Sequence, residues 1–185
     1  MSHIPSPEDE RATHHNWLIK ASALAHAPVE EGGSPHPSVK VGAIIVDSQN
    51  QALGQASNGF APGVDGNRVE RFDNGLRSLW INCSEQMALA QVSSYGYALK
   101  GAKIYVTLEP CAICAGLLVA SGIQEVIVPL SSRRFYAQLK DKWKTSIEIG
   151  TTKLTEAGVK ITMVDMQDVK GFLPPDKSFP NPSCG

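Results

Sequence analysis

Net charge is nearly absent from this chain: 17 lysines and arginines meet 18 aspartates and glutamates over 185 residues, leaving -1. Domains that grip polyanions are usually basic, so general nucleic-acid binding is not expected. Long apolar runs are missing as well. None approaches the roughly 18–20 residues that span a bilayer. The opening Met1-Ser2-His3-Ile4-Pro5-Ser6 lacks the basic-then-apolar pattern of a secretory signal. The expectation is a cytoplasmic protein with no membrane partner. Cysteine is scarce at four residues, and an intracellular chain of this size does not need a disulfide framework. No internal repeat or low-complexity block is present. What remains is an ordinary globular composition, 42% hydrophobic and 19% charged, of a length that suits one domain. That domain is expected over residues 1–170, with an irregular tail over 171–185 that carries four prolines.

Helix punctuation is legible from the start. Ser6 can cap, Pro7 suits a first helical position, and Asp9 places a carboxylate at the positive end of the helix. Trp17, Leu18, Ala21, Leu24 and Ala25 then recur at helical spacing until Pro28. Residues 30–37 read as a loop. Val41 to Val46 is a continuous apolar run, the pattern of a strand covered on both faces. A turn at 47–50 leads to a hairpin partner over 51–58. Residues 59–82 show no period, and a stretch that long without regular structure is often functional.

From Cys83 the pattern alternates. Helices are expected over 83–92, 111–120 and 144–157, with strands over 102–108, 124–128 and 159–164. Gly122 and Gly158 sit where helices commonly end. The order implies a mainly parallel sheet with helices on its faces.

Two segments carry the chemistry. Cys83-Ser84-Glu85 opens one helix, and Pro110-Cys111-Ala112-Ile113-Cys114 opens the next. Cysteines near a helix N-terminus favour the thiolate. Two neighbouring helices of a parallel sheet start at the same edge, so their cysteines can converge on one ion. Three thiolates around Zn²⁺ with a fourth position open make a catalytic geometry. Glu85 lies about 200° round the helix from Cys83, so it is not expected to be a ligand. It can instead lean over the open position and handle protons. Taken alone, Cys111 and Cys114 also fit a redox pair or half of a structural zinc site.

This pattern resembles the zinc-dependent nucleobase deaminases, whose signature is H-x-E followed by P-C-x-x-C. Here Cys83 stands where many members have histidine, as in cytidine deaminases. The resemblance covers about Val41 to Val164. Asn58-Gly59-Phe60 with Pro62-Gly63, and the 24 residues between Asn58 and Cys83, look most like deoxycytidylate deaminases. Thr107-Leu108-Glu109-Pro110-Cys111 is instead similar to the tRNA and purine-type enzymes. The resemblance implies a three-layer α/β/α cytidine-deaminase-like fold with a five-stranded mixed sheet whose last two strands are parallel. It implies a zinc cofactor on Cys83, Cys111 and Cys114, with Glu85 as catalytic acid–base. The implied reaction is deamination of a cytosine nucleotide, dCMP to dUMP. Cytidine, guanine and tRNA adenosine remain alternatives, as does a zinc-holding module without turnover.

For substrate contacts, the resemblance points to Asn58 at the sugar hydroxyl and the Ser84 backbone N–H at the base edge. Phe60, Trp80, Phe135 and Tyr136 are candidate pocket walls. Arg68, Arg71, Arg77, Arg133 and Arg134 are candidates for the phosphate. Lys40 or Arg77 is expected to offset the negative charge of a three-thiolate zinc site. A homo-oligomer is expected, with a deoxynucleoside triphosphate as possible effector. Adjacent His14 and His15 point about 100° apart and are expected at the surface. Cys184 is expected to be a bystander.

Overall fold

The computed structural model describes residues 6–72, 76–136 and 139–175, and the side chains of 134–136 lie outside that description. Its elements run α1 (Pro7–His26), β1 (Gly42–Val46), β2 (Ala52–Ser57), a single turn α2 (Arg77–Trp80) and α3 (Ser84–Tyr95). They continue β3 (Lys103–Val106), α4 (Ala112–Ala120), β4 (Glu125–Pro129), α5 (Ser131–Tyr136), α6 (Asp141–Glu156) and β5 (Lys160–Val164). The capping expected at the first helix forms. The Asp9 amide donates to Ser6 Oγ at 3.2 Å, and the Ser6 amide donates to Asp9 Oδ2 at 3.1 Å.

The five strands form one sheet in the order β2-β1-β3-β4-β5. Alternation along each strand sorts its side chains into two layers. Ile44, Val46, Tyr105 and Ile127 face Leu18 and Ala21 of α1. Ala43, Ile45, Ile104, Val106, Val126 and Val128 face Ala88 and Val92 of α3, Ala115 and Leu118 of α4, and Leu154 of α6. The result is a three-layer α/β/α architecture, and β3–β4 and β4–β5 pair in parallel as expected. The broader reading of a mainly parallel sheet needs correction, because β1 pairs antiparallel with both β2 and β3. The physical reason is the hairpin. The chain from β2 through α3 returns parallel to β2, yet lands beyond β1, which the hairpin has already reversed.

Two further expectations shift. The helix expected from residue 144 begins three residues earlier, at Asp141, with Lys140 at its N-cap. His14, expected at the surface, is buried, with Nδ1 hydrogen-bonded to the Tyr105 hydroxyl at 3.0 Å. The described part of the tail packs on α1, where Ser22 Oγ donates to the Leu173 carbonyl at 2.8 Å. Among the described residues, no helix is long and apolar enough to cross a membrane.

Candidate active site

Strand directions place the site. β2 and β3 run parallel on either side of β1, so α3 and α4 both begin at the carboxyl edge of the sheet. Ligands bind at that edge in open α/β folds. Between β2 and α3 the long loop is closed at its base by a bridge between Gly59 and Asn82. The Gly59 amide donates to the Asn82 carbonyl at 3.1 Å, and the Asn82 amide donates to Gly59 at 2.8 Å. Asn58 and Cys83 are thereby brought to neighbouring strand-like positions although 24 residues separate them. Residues 59–82 are not wholly irregular: a short 3₁₀ turn covers Val69–Arg71, and α2 follows.

Cys83 and Cys111 are the N-caps of α3 and α4, one position before the first helical turn where the sequence reading put them. The Cys83 amide donates to Gln86 Oε1 at 2.9 Å, which fixes the start of α3. The start of α4 is held from α6. Ser146 Oγ accepts from the Ala112 amide at 3.1 Å, and Lys153 Nζ donates to the Ala112 carbonyl at 3.0 Å. Gly150 makes this approach possible. A Cβ there would lie 2.5 Å from the Pro110 carbonyl oxygen and 3.1 Å from the Cys111 carbonyl carbon.

The sulfurs of Cys83, Cys111 and Cys114 lie within 4.8 Å of one another, and all three are free thiols. A tetrahedral zinc site with Zn–S near 2.3 Å needs sulfurs about 3.8 Å apart, so the donor set and spacing fit such an ion. Hydrogen bonds from the Cys114 and Cys83 sulfurs hold the Cys111 thiol far below the ordinary thiol range, to about 2. The same shared hydrogen bonds push the Cys83 and Cys114 thiols up. Loading a cation on these sulfurs requires their protons to leave.

Glu85 is 4% exposed. Burial pushes its carboxyl up to about 7; the Cys111 charge adds to the rise, and its own backbone N–H and the Ser84 hydroxyl pull the other way. Ser84 Oγ donates to Glu85 Oε2 at 3.1 Å. A carboxyl so placed exchanges protons near neutrality, the property a general acid–base needs.

The other candidates divide. Asn58 is buried, its Oδ1 accepting from the Val41 amide at 2.8 Å and its Nδ2 donating to the Val39 carbonyl at 3.0 Å. One amide hydrogen of the side chain is left for another acceptor. Phe60 packs edge-on against Phe72 at 5.5 Å, and Trp80 lies beneath the Arg71 guanidinium at 4.1 Å. The side chains of Arg134, Phe135 and Tyr136, and Cys184, lie outside the described residues. Lys40 donates to the Ser34 carbonyl and Arg77 to the Phe72 carbonyl.

Sequence reasoning passed over one residue. Glu109, two before Cys111, is a second buried carboxylate, bonded to Ser132 and Arg133. An acidic residue within an otherwise apolar strand-to-helix turn was the available signal.

The profile described as cytidine and deoxycytidylate deaminase zinc-binding region matches residues 15–130. A deaminase of Aliivibrio fischeri, itself uncharacterized, is 26% identical over 137 residues, covering 74% of this chain and 87% of that protein. Human deoxycytidylate deaminase is 32% identical over 97 residues, 51% of this chain and 54% of that protein. A probable deoxycytidylate deaminase of Drosophila melanogaster is 32% identical over 102 residues, 51% of this chain and 50% of that protein. The chain thus spans about half the length of these deoxycytidylate deaminases. The solved dCMP deaminase of cyanophage S-TIM5 superposes with a TM-score of 0.60 at 18% identity, over 86% of this chain and 100% of that one, which shows a shared fold. Motif, architecture and profile agree, and the chain belongs to the cytidine and deoxycytidylate deaminase zinc-binding family, a family of hydrolytic deaminases.

Proposed function

We propose that this protein hydrolyses the exocyclic amine of a cytosine nucleotide, converting dCMP to dUMP and ammonia. The observation that carries this reading is the convergence of three free sulfurs from two helix starts beside a buried carboxylate. The relatives named deoxycytidylate deaminase, at 32% identity, support the choice of base. The fold is shared with a phage dCMP deaminase solved with dCMP and dUMP.

Cys83, Cys111 and Cys114 would hold Zn²⁺, which when bound lowers the pKa of water from 15.7 to roughly 7. Glu85 accepts the proton of the attacking water and delivers it to the ring nitrogen. A C–O bond forms at C4; Glu85 then takes the proton of the new C4 hydroxyl and passes it to the amine, which leaves as ammonia when the C–N bond breaks and the C4 carbonyl forms. The Ser84 backbone N–H meets the base edge, and the remaining amide hydrogen of Asn58 meets the sugar hydroxyl. Phe60 and Trp80, both in the 59–82 loop, are the proposed walls of the base pocket; Tyr136, the third expected wall, has its side chain outside the described residues. A near-neutral charge disfavours tRNA, since phosphate contacts supply most nucleic-acid affinity.

A reducing, cytoplasmic compartment is part of this reading, since thiols meant for a metal must stay reduced. Assembly into a homo-oligomer is part of this reading and is testable by sedimentation. Regulation by a deoxynucleoside triphosphate would appear as a rate change on adding dCTP or dTTP. The deciding experiment measures ammonia release from dCMP, cytidine, guanine and a tRNA anticodon stem, with zinc content in parallel. Release from dCMP, lost in Glu85→Ala with zinc retained, is expected. A zinc-loaded protein inert toward the whole panel would identify a binding module instead.

A further inference from the structure

A nucleotide substrate brings a phosphate dianion to a site that is itself negative. Three thiolates would leave a bound Zn²⁺ at a formal charge of -1, and Glu109, two residues before Cys111, adds a buried carboxylate. Phosphate recognition here needs a guanidinium or ammonium held in place, because a mobile cation would be drawn to these anions instead.

Three of the five candidate arginines are engaged within the 59–82 loop. Arg68 is paired with both Asp65 and Glu70. Arg71 donates to the Asp65 carbonyl at 2.6 Å and stacks on Trp80, while Arg77 donates to the Phe72 carbonyl at 3.2 Å. Lys153, the cation on the α6 side of α4, is bonded to the Ala112 carbonyl.

Arg133 is placed differently. It lies in α5, directly beyond the carboxyl end of β4, next to the strand end that leads into Cys111. Its guanidinium nitrogen sits 3.4 Å from Glu109 Oε1, and Ser132 Oγ donates to Glu109 Oε2 at 3.0 Å. Glu109 is 7% exposed and rigidly continuous with Pro110 and Cys111, whereas Arg133 is 60% exposed. One buried carboxylate therefore grips both the start of α5 and one corner of the guanidinium. The remaining donors of the fork stay open to solvent, at the edge of the sheet where the sulfurs converge.

We propose that Arg133 recognises the substrate phosphate and that Glu109 is the positioning residue that aims it. The inference rests on the nucleotide reading above and deepens it. The test is steady-state kinetics of zinc-loaded wild type, Arg133→Ala, Arg133→Lys and Glu109→Gln with dCMP and deoxycytidine, and inhibition by inorganic phosphate alongside. Arg133→Ala is expected to lower the dCMP-to-deoxycytidine ratio of kcat/KM by about tenfold to hundredfold, the range of a lost charge-assisted hydrogen bond. Arg133→Lys should recover part of it, and Glu109→Gln should raise KM for dCMP more than it lowers kcat. Phosphate inhibition should weaken in Arg133→Ala, which decides the matter even if deoxycytidine is not turned over. A merely structural role would lower both substrates alike and leave the ratio and phosphate inhibition unmoved, which overturns this inference alone. A wild type inert toward dCMP overturns the nucleotide reading and this inference with it.

Discussion

Glu85 and Glu125 are both carboxylates about 5% exposed or less, at opposite ends of the sheet, and they behave in opposite ways. Glu125 opens β4 and lies in register with Lys103, which opens β3, and Lys160, which opens β5. Burial alone would raise its carboxyl. The Thr162 hydroxyl at 2.6 Å, Lys160 at 2.9 Å and Lys103 at 3.2 Å outweigh that and bring it down to about 2. Glu85, at the carboxyl edge, has no cation beside it among the described residues to offset burial; burial and the Cys111 charge push it up to about 7 against the pull of the Ser84 hydroxyl. Burial sets the cost of a charge; the neighbours decide whether the charge is kept. One end of the sheet is thus an ion-paired clamp, and the other holds a carboxyl raised by burial.

The sharpest break of this contrast is removal of a sulfur. Cys111→Ala should lose both zinc and turnover, read by elemental analysis and ammonia release. Glu85→Gln should keep the zinc and lose roughly 10²–10⁴-fold in kcat, the usual contribution of a general acid–base. Retained activity would move the proton work elsewhere. Gly150→Ala forces a Cβ to within 2.5 Å of the Pro110 carbonyl, so a loss of about 1–3 kcal/mol is expected, as for overpacking. Weakened zinc affinity should accompany it, because the Cys111 turn must shift.

The smallest effect belongs to the clamp. Glu125→Gln should cost about 1–2 kcal/mol at neutral pH with turnover per folded molecule intact. The pH dependence follows from the sign of the shift. A carboxyl held below its ordinary 4.5 contributes stability in full above that value and loses it as pH falls toward about 2. Denaturation midpoints of wild type and variant should therefore converge on acidification. A gap that stays constant down to pH 2 would assign the loss to packing instead of charge.

Local signals were readable residue by residue. Ser6 and Asp9 announce the α1 cap, Pro28 its end, and the all-apolar Val41–Val46 run a central strand. The cysteine spacing named three sulfurs and Glu85 before any fold was known, since each lies one or two positions from a helix start. His14 was misread because helical spacing alone does not reveal that Tyr105, 91 residues away, offers a buried partner. The antiparallel placement of β3 was likewise hidden, since strand order depends on where a crossover lands.

Residue type and spacing by themselves determined the candidate donor set, the carboxyl proposed as acid–base and the alternation of helices and strands, because these rest on backbone capping and side-chain chemistry over a few positions. Only the tertiary structure decided that Cys83 meets Cys111 and Cys114, that Gly150 admits α6 against Pro110, and that Glu109 holds Arg133 while Glu125 holds two lysines. Those outcomes depend on contacts between distant segments, whose energies arise once the sheet has brought the segments together.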